Sequence, residues 1–153
     1  PNPAEDLSGL DVARKALVIA RESGMSLELE DLDVTPAVPE KLARMTDADE
    51  FMQALSEYDT EFQAMVDKAE AEGKVLRYVA KIDDNHIKVG VEAVDSKHPL
   101  YDIKAGENAM AIHTVYYDPV PFVIRGYGAG AEVTAAGLFG DLLKTMSVET
   151  SVS

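Results

Sequence analysis

The hydrophobic pattern changes its period near Lys74, and this change constrains the fold more than any other feature of the chain. Residues 74–83 and 86–95 alternate apolar and polar side chains around a polar turn, which predicts a β-hairpin. Residues 108–125 predict a second hairpin, whose strands are joined through Asp118-Pro119. Because these strands follow one another without intervening helices, the pattern predicts an α+β fold, with an antiparallel or mixed sheet and helices packed on one face.

The region before the hairpins begins with a predicted helix at residues 8–23. Ser8 and Asp11 have capping-box spacing, apolar residues recur at helical intervals, and Gly24 stands where a helix commonly ends. This helix is apolar on most sides, so we expect little of it to face water. Residues 27–39 alternate apolar and acidic side chains before two prolines, which predicts a short strand leading to a loop.

Two further helices are predicted on either side of the hairpins. One extends from about Thr46 to Gly73, with residues 56–59 as a candidate break. The other follows a glycine-rich loop at 126–130 and continues to about Ser147.

The composition excludes several classes of function. Twenty-eight acidic residues against 14 basic ones give a formal charge of -14, which repels nucleic-acid phosphates, so we expect no nucleic-acid partner. No apolar run approaches the length needed to cross a bilayer, about 18 residues, so we expect no membrane partner. The absence of cysteine excludes disulfides and thiolate metal sites and fits a cytoplasmic location.

The glycine-rich loop is the first candidate for a ligand site. Residues 126–131 match the G-x-G-x-x-G/A pattern, in which backbone amides approach a phosphate at a helix N-terminus. A dinucleotide-binding fold needs another strand and an acidic residue after that helix, and neither follows here. The residue pattern leaves two interpretations, a tight strand-to-helix connection or a lid over a nucleotide site built by other residues.

The second candidate is a pair of charged residues near the start of the chain. Asp11 and Lys15 are spaced i and i+4, so they share one face of the predicted helix, and Asp6 lies just before it. A lysine beside carboxylates can act as a general acid. The alternative is a surface ion pair that contributes only about 0.3–0.5 kcal/mol of stability.

These residues resemble the signature of the homoserine dehydrogenase family. That signature reads Asp/Asn/Ser-Pro-x-x-Asp-aliphatic-x-Gly-x-Asp-x-x-x-Lys. Its matching positions in this chain are Asn2, Pro3, Asp6, Leu7, Gly9, Asp11 and Lys15. Residues 103–143 resemble the C-terminal end of the family, so the likeness covers essentially the whole chain. Residues 103–143 and 5–24 are most similar to the bifunctional aspartokinase–homoserine dehydrogenases.

The resemblance implies an oxidoreductase that reduces L-aspartate 4-semialdehyde to L-homoserine with NAD(P)H, in threonine and methionine biosynthesis. It implies that Lys15 donates a proton to the substrate carbonyl oxygen and that Asp11 binds the amino-acid substrate and orients Lys15. Asp6 would help to hold the polar end of the substrate. Gly128 and Gly130 would contact the nicotinamide nucleotide.

The resemblance also predicts how the chain relates to the enzyme. In the family a nucleotide-binding Rossmann domain precedes the signature, so residues 1–153 are expected to form the substrate-binding and catalytic portion without that domain, inactive alone. The family's monovalent-cation site belongs to the preceding part, so no metal is assigned here, and the family is dimeric, which predicts a homodimer. The alternative is a ligand-binding or dimerisation module in which Asp11 and Lys15 are only structural.

Overall fold

A computed structural model of the chain describes residues 2–148. The chain divides into two compact units, Pro1–Lys97 and His98–Ser153. The helices and strands of the first unit are α1 (Pro3–Leu7), α2 (Leu10–Glu22), β1 (Asp33–Val34), α3 (Glu40–Ala43), α4 (Ala48–Leu55), α5 (Asp59–Ala71), β2 (Val75–Asp83) and β3 (His86–Val94). Those of the second unit are β4 (Glu107–Thr114), β5 (Tyr117–Tyr127) and α6 (Ala131–Val148).

The sheet of the first unit has three strands in the order β1-β3-β2. β2 and β3 are antiparallel, with Val79 opposite Gly90, and β1 runs parallel to β3. Between β2 and β3, Asp84 and Asn85 have φ values of 41° and 66°. A two-residue hairpin turn requires this left-handed conformation, which Asp and Asn tolerate. The first predicted hairpin is therefore confirmed.

Helices α2 and α5 cover the same face of this sheet. The buried core between α2 and the sheet consists of Ala13, Ala16, Leu17, Ala20, Ile87 and Val89. The small alanine side chains let the helix backbone approach the strands closely. Tyr78 of β2 packs against this core and also lines an apolar cleft with Phe62 and Met65 of α5. The predicted α+β fold, with a mixed sheet and helices on one face, is confirmed.

A second core joins the short helices of the first unit. Its buried side chains are Ala4, Val38, Leu42 and Phe51, which belong to α1, α3, α4 and the segment before α3. Helix α1 is not predicted by the sequence pattern. It begins where Asn2 Oδ1 accepts a hydrogen bond from the Ala4 amide at 3.1 Å, and Pro3 suits the first helical position.

The predicted capping box at the start of α2 is wrong. Ser8 ends α1, donates its hydroxyl to the Glu5 carbonyl at 2.7 Å and accepts from the Leu10 amide at 3.2 Å. Gly9 then turns the chain with a φ of 83°, so α2 begins only at Leu10. The C-terminal prediction is confirmed, because Gly24 follows the helix in the left-handed conformation with a φ of 92°.

The strand predicted within residues 27–39 is mostly wrong. Leu29–Asp31 form a 3-10 turn, and only Asp33–Val34 pair as a strand. The acidic residues explain the difference, because the Glu28 amide donates to Asp31 Oδ2 at 2.8 Å. The alternation of apolar and acidic residues therefore does not indicate a strand here. The Asp side chain binds a nearby backbone group, and this hydrogen bond favours a turn over strand pairing.

The long helical stretch is confirmed with its break. Asp47 accepts hydrogen bonds from the amides of Asp49 and Glu50, both at 2.9 Å, and begins α4. The 3-10 turn Ser56–Tyr58 then separates α4 from α5.

The second unit contains the second predicted hairpin and the last predicted helix. β4 and β5 form an antiparallel two-stranded sheet, but its predicted turn is misplaced. The turn lies at Val115 and Tyr116, where Thr114 Oγ1 accepts from the amides of Tyr116 and Tyr117 at 3.2 Å each. Pro119 lies inside β5. The helix after the glycine loop is confirmed as α6.

Candidate active site

The structure brings Asp11 and Lys15 together on α2. Lys15 Nζ lies 2.7 Å from Asp11 Oδ2, an i,i+4 ion pair. The helix start fixes this geometry, since the Ala13 amide donates to the Gly9 carbonyl at 2.9 Å. Asp11 therefore stands in the first turn, where the helix dipole favours a carboxylate.

The expectation that little of α2 faces water is wrong. The side chains of Lys15 and Asp11 are 66% and 63% exposed, and Val18 on the same side of the helix is 60% exposed. Only the stripe formed by the alanines and Leu17 is buried against the sheet. An ion pair this exposed contributes about 0.3–0.5 kcal/mol of stability. Its two charges are open to a ligand or to another part of the protein.

Asp6 occupies a different element from the ion pair. It lies near the end of α1, and its side chain is exposed. In the part of the chain that the structure describes, its carboxylate forms no ion pair with Lys15. The structure therefore unites two of the three predicted acidic and basic site residues and leaves Asp6 on the neighbouring short helix.

The glycine-rich loop joins β5 to α6 in the second unit. Gly130 has a φ of 140°, and its carbonyl accepts the first hydrogen bond of α6 from the Thr134 amide at 3.0 Å. A Cβ atom added at Gly126 or Gly130 would meet no other atom within 4 Å. The loop backbone is therefore open at these positions, and a ligand can approach it closely at the helix N-terminus.

Asn108 is a neighbour of this loop that the residue pattern does not indicate. A Cβ atom at Gly128 would lie 1.7 Å from Asn108 Nδ2, so the side-chain amide of Asn108 occupies the space that any larger residue would need. The pairing of Asn108 with Gly126 across the hairpin causes this contact. Only the strand register could have indicated it, and the sequence does not fix that register.

Arg125 anchors the strand end that leads into the loop. Its Nη2 donates to the Asp102 carbonyl at 2.7 Å, and its Nε donates to Glu107 Oε2 at 2.9 Å. The Lys104 amide also donates to Glu107 Oε2, at 2.8 Å. The Lys104 N–H and then the Arg125 guanidinium hold the pKa of Glu107 below its usual value. The carboxylate stays ionised near neutral pH and fixes the base of the loop.

No metal site or membrane span is found in the described residues. Among residues 2–148, no three or more His, Cys, Asp or Glu side chains are grouped to hold a metal ion. No helix in the same range is both long and apolar enough to cross a membrane.

Comparisons with known proteins give the family. The family model of homoserine dehydrogenase matches residues 1–143. A bifunctional aspartokinase/homoserine dehydrogenase from Haemophilus influenzae is 53% identical over 146 residues, which are 95% of this chain and 18% of that protein. A homoserine dehydrogenase from Paracoccidioides brasiliensis is 39% identical over 149 residues, 95% of this chain and 40% of that protein.

Structural similarity agrees with the sequence comparisons. The crystal structure of a Candida auris protein of unknown function superimposes on this chain with a TM-score of 0.83 at 42% sequence identity. The superposition covers 94% of this chain and 40% of the Candida auris chain. The chain thus spans between 18% and 40% of the lengths of these relatives. From the matched residues 1–143 and the sequence identities, we conclude that the chain belongs to the homoserine dehydrogenase family.

Proposed function

We propose that this chain provides the substrate-binding and catalytic portion of a homoserine dehydrogenase, which reduces L-aspartate 4-semialdehyde to L-homoserine with NAD(P)H. The observation that carries the proposal is the exposed ion pair of Asp11 and Lys15, with 2.7 Å between Nζ and Oδ2, at the family's signature positions. A surface ion pair without a function would have no reason to coincide with these signature positions.

In the proposed mechanism, the Lys15 ammonium donates a proton to the carbonyl oxygen of the semialdehyde. The negative charge that develops on that oxygen is thereby neutralised. Asp11 binds the ammonium group of the amino acid and, through its ion pair, orients Lys15. Asp6 on the neighbouring helix helps to hold the polar end of the substrate.

The glycine loop of the second unit fits a nicotinamide nucleotide. The open backbone at Gly130, where a Cβ atom would meet nothing within 4 Å, permits close approach of a large ligand. Gly128 and Gly130 would contact the nucleotide, with Asn108 beside them. When bound, the reduced nicotinamide supplies the hydride that converts the aldehyde to an alcohol.

The isolated 153-residue chain is expected to show no NAD(P)-dependent oxidation of L-homoserine. The reason is that residues 2–148 contain one parallel strand pair, which includes the two-residue strand β1. These residues therefore form no Rossmann sheet that could bind the dinucleotide. The test follows NAD(P)H absorbance with the pure chain and with the intact enzyme that carries it. We expect turnover only by the intact enzyme.

Both outcomes of this assay are informative. Measurable turnover by the pure chain would overturn the division of roles between this portion and a separate nucleotide-binding part. An intact, folded enzyme that fails to oxidise L-homoserine would contradict the proposed reaction itself.

The proposal includes a homodimer formed through the β4–β5 hairpin. An isolated two-stranded hairpin is only marginally stable in water. This hairpin also has highly exposed apolar side chains, including Val115 at 94% and Tyr116 at 91%. We expect the chain to sediment as a dimer at micromolar concentration.

Replacing Ile124 of β5 by lysine should weaken the dimer, because a charge would replace a half-exposed apolar side chain.

The matched control for Ile124→Lys is Val66→Lys on α5. Val66 is 38% exposed and Ile124 is 49% exposed, so both changes place a lysine at a partly exposed apolar position, but only Ile124 lies in the hairpin. A chain that sediments as a monomer, or equal effects of the two substitutions, would count against the hairpin interface.

We further propose a cytoplasmic location, which the cysteine-free composition supports because no structural disulfide would be lost there. The related proteins from Zea mays are named chloroplastic.

A further inference from the structure

The start of α2 lies against the hydroxyl group of Tyr78. Gly9 is buried and has a φ of 83°. A Cβ atom on Gly9 would lie 1.9 Å from the Tyr78 hydroxyl oxygen, 3.0 Å from Cζ of the same ring and 3.2 Å from Cγ1 of Val34. The hydroxyl therefore touches the backbone of Gly9, two residues before Asp11 and six before Lys15.

The position of this hydroxyl is itself fixed by the sheet. It donates a hydrogen bond of 2.8 Å to the Thr35 carbonyl, and the Thr35 amide donates to the Val89 carbonyl of β3 at 2.8 Å. The ring of Tyr78 packs on the core beneath α2. Burial raises the pKa of Tyr78 above its ordinary value, so the hydroxyl remains a donor throughout the neutral range.

The first turn of α2 packs on the core through Val12 and Ala13, but its N-terminal end has few polar restraints. Its N-cap residue is Gly9, which has no side chain to bind the free amides. The Leu10 amide donates to Ser8 Oγ at 3.2 Å, a bond to a side chain only two residues earlier in the chain. The contact with Tyr78 therefore links the helix start directly to the sheet.

We infer that Tyr78 is a positioning residue, whose hydroxyl sets the place of the first turn of α2 and through it the place of Asp11 and Lys15. The inference rests on the proposed function for the roles of the two charged residues. Displacement of a catalytic group by about 1 Å can reduce a rate by about 100-fold, so a contact at the helix start can control turnover without touching the substrate.

The first test is Tyr78→Phe in the intact enzyme, which keeps the ring and removes the hydroxyl. We expect kcat to fall by about tenfold, with a smaller change in KM. In the Lys15→Ala background the same substitution should lower kcat by a clearly smaller factor than in the parent, because the part of the loss that acts through Lys15 is already absent and only the part that acts through Asp11 remains. If Tyr78 only stabilised the fold, Tyr78→Phe would lower kcat by the same factor in the parent enzyme and in the Lys15→Ala enzyme. This result would overturn the inference.

The second readout does not depend on the reaction. Amide hydrogen exchange at residues 13–15 should quicken by about fivefold in Tyr78→Phe, the change that corresponds to one net hydrogen bond. The control is Tyr58→Phe, which removes a phenolic hydroxyl near the second core and should leave these amides unchanged. Unchanged exchange in Tyr78→Phe overturns the inference. If the intact enzyme does not oxidise L-homoserine, the proposed function fails and this exchange measurement still decides the role of Tyr78.

A companion substitution tests the contact from the other side. Gly9→Ala should lower kcat in the parent enzyme, because the new Cβ cannot coexist with an oxygen 1.9 Å away. In the Tyr78→Phe background that oxygen is absent, so the additional loss should be smaller, although the left-handed φ of 83° still opposes alanine. Strictly additive losses would contradict a direct contact.

Discussion

Replacing Lys15 by alanine in the intact enzyme is expected to lower kcat by about 10²- to 10⁴-fold. The substitution removes the proton donor at the carbonyl oxygen, an interaction that is strongest in the transition state. KM for the amino acid should change less, since ground-state binding loses little. Steady-state kinetics with L-homoserine and NAD(P)⁺ measures both constants.

The matched control for Lys15→Ala is Arg14→Ala, the adjacent basic residue, which is also exposed on α2. Both changes remove one positive charge from the same helix, but only Lys15 pairs with Asp11. Thermal unfolding should show both variants folded, because loss of an exposed i,i+4 pair costs only about 0.3–0.5 kcal/mol. A kcat for Lys15→Ala within about threefold of the parent value would contradict the catalytic role by leaving no room for the effect of a general acid.

Replacing Asp11 by asparagine should reduce kcat/KM by about 10- to 100-fold, the range expected for a hydrogen bond to a charged group. A larger share of this loss should fall on KM than in Lys15→Ala, because Asp11 is proposed to bind the substrate ammonium. Its orienting contact with Lys15 should also weaken and lower kcat. The two constants are obtained from the same steady-state assay.

Glu22→Gln provides the comparison for Asp11→Asn. Glu22 is another exposed acidic residue of α2, and by the helical repeat it projects in nearly the same direction as Asp11. It lies near the opposite end of the helix, so its neutralisation should leave both constants near the parent values. Equal effects of the two substitutions would indicate a general electrostatic influence of the helix face and would contradict a specific substrate contact.

The parts of the fold that follow from local residue patterns were predictable. The first hairpin has long alternating strands around Asp84 and Asn85, and each of these two residues tolerates the left-handed turn. The Asp11–Lys15 pair was predictable for the same reason, since i,i+4 spacing on a helix sets the proximity of two side chains without reference to the remaining fold.

The features that depend on side-chain competition or on distant residues were not predictable. Thr114 builds the second turn with its own hydroxyl, so Asp118-Pro119 was a misleading turn signal. The exposure of Lys15 depends on which side of α2 meets the sheet. The side with the small alanines and Leu17 does so, whereas the larger Val18 and Ile19 stay exposed. The contact between Gly9 and Tyr78 follows from the docking of α2 on β2, which no local spacing encodes.

A chimera tests the proposed function: residues 1–143 of this chain, the range that the family model matches, replace the corresponding segment of the Haemophilus influenzae enzyme, which is 53% identical over 146 residues. The aspartokinase activity in that protein's name gives an internal control for folding. We predict that the chimera oxidises L-homoserine within about tenfold of the parent and that Lys15→Ala in the chimera lowers this rate by about 100-fold or more. A chimera that retains aspartokinase activity but does not oxidise L-homoserine would contradict the proposed reaction. A dehydrogenase rate that is unaffected by Lys15→Ala would contradict the catalytic role of Lys15.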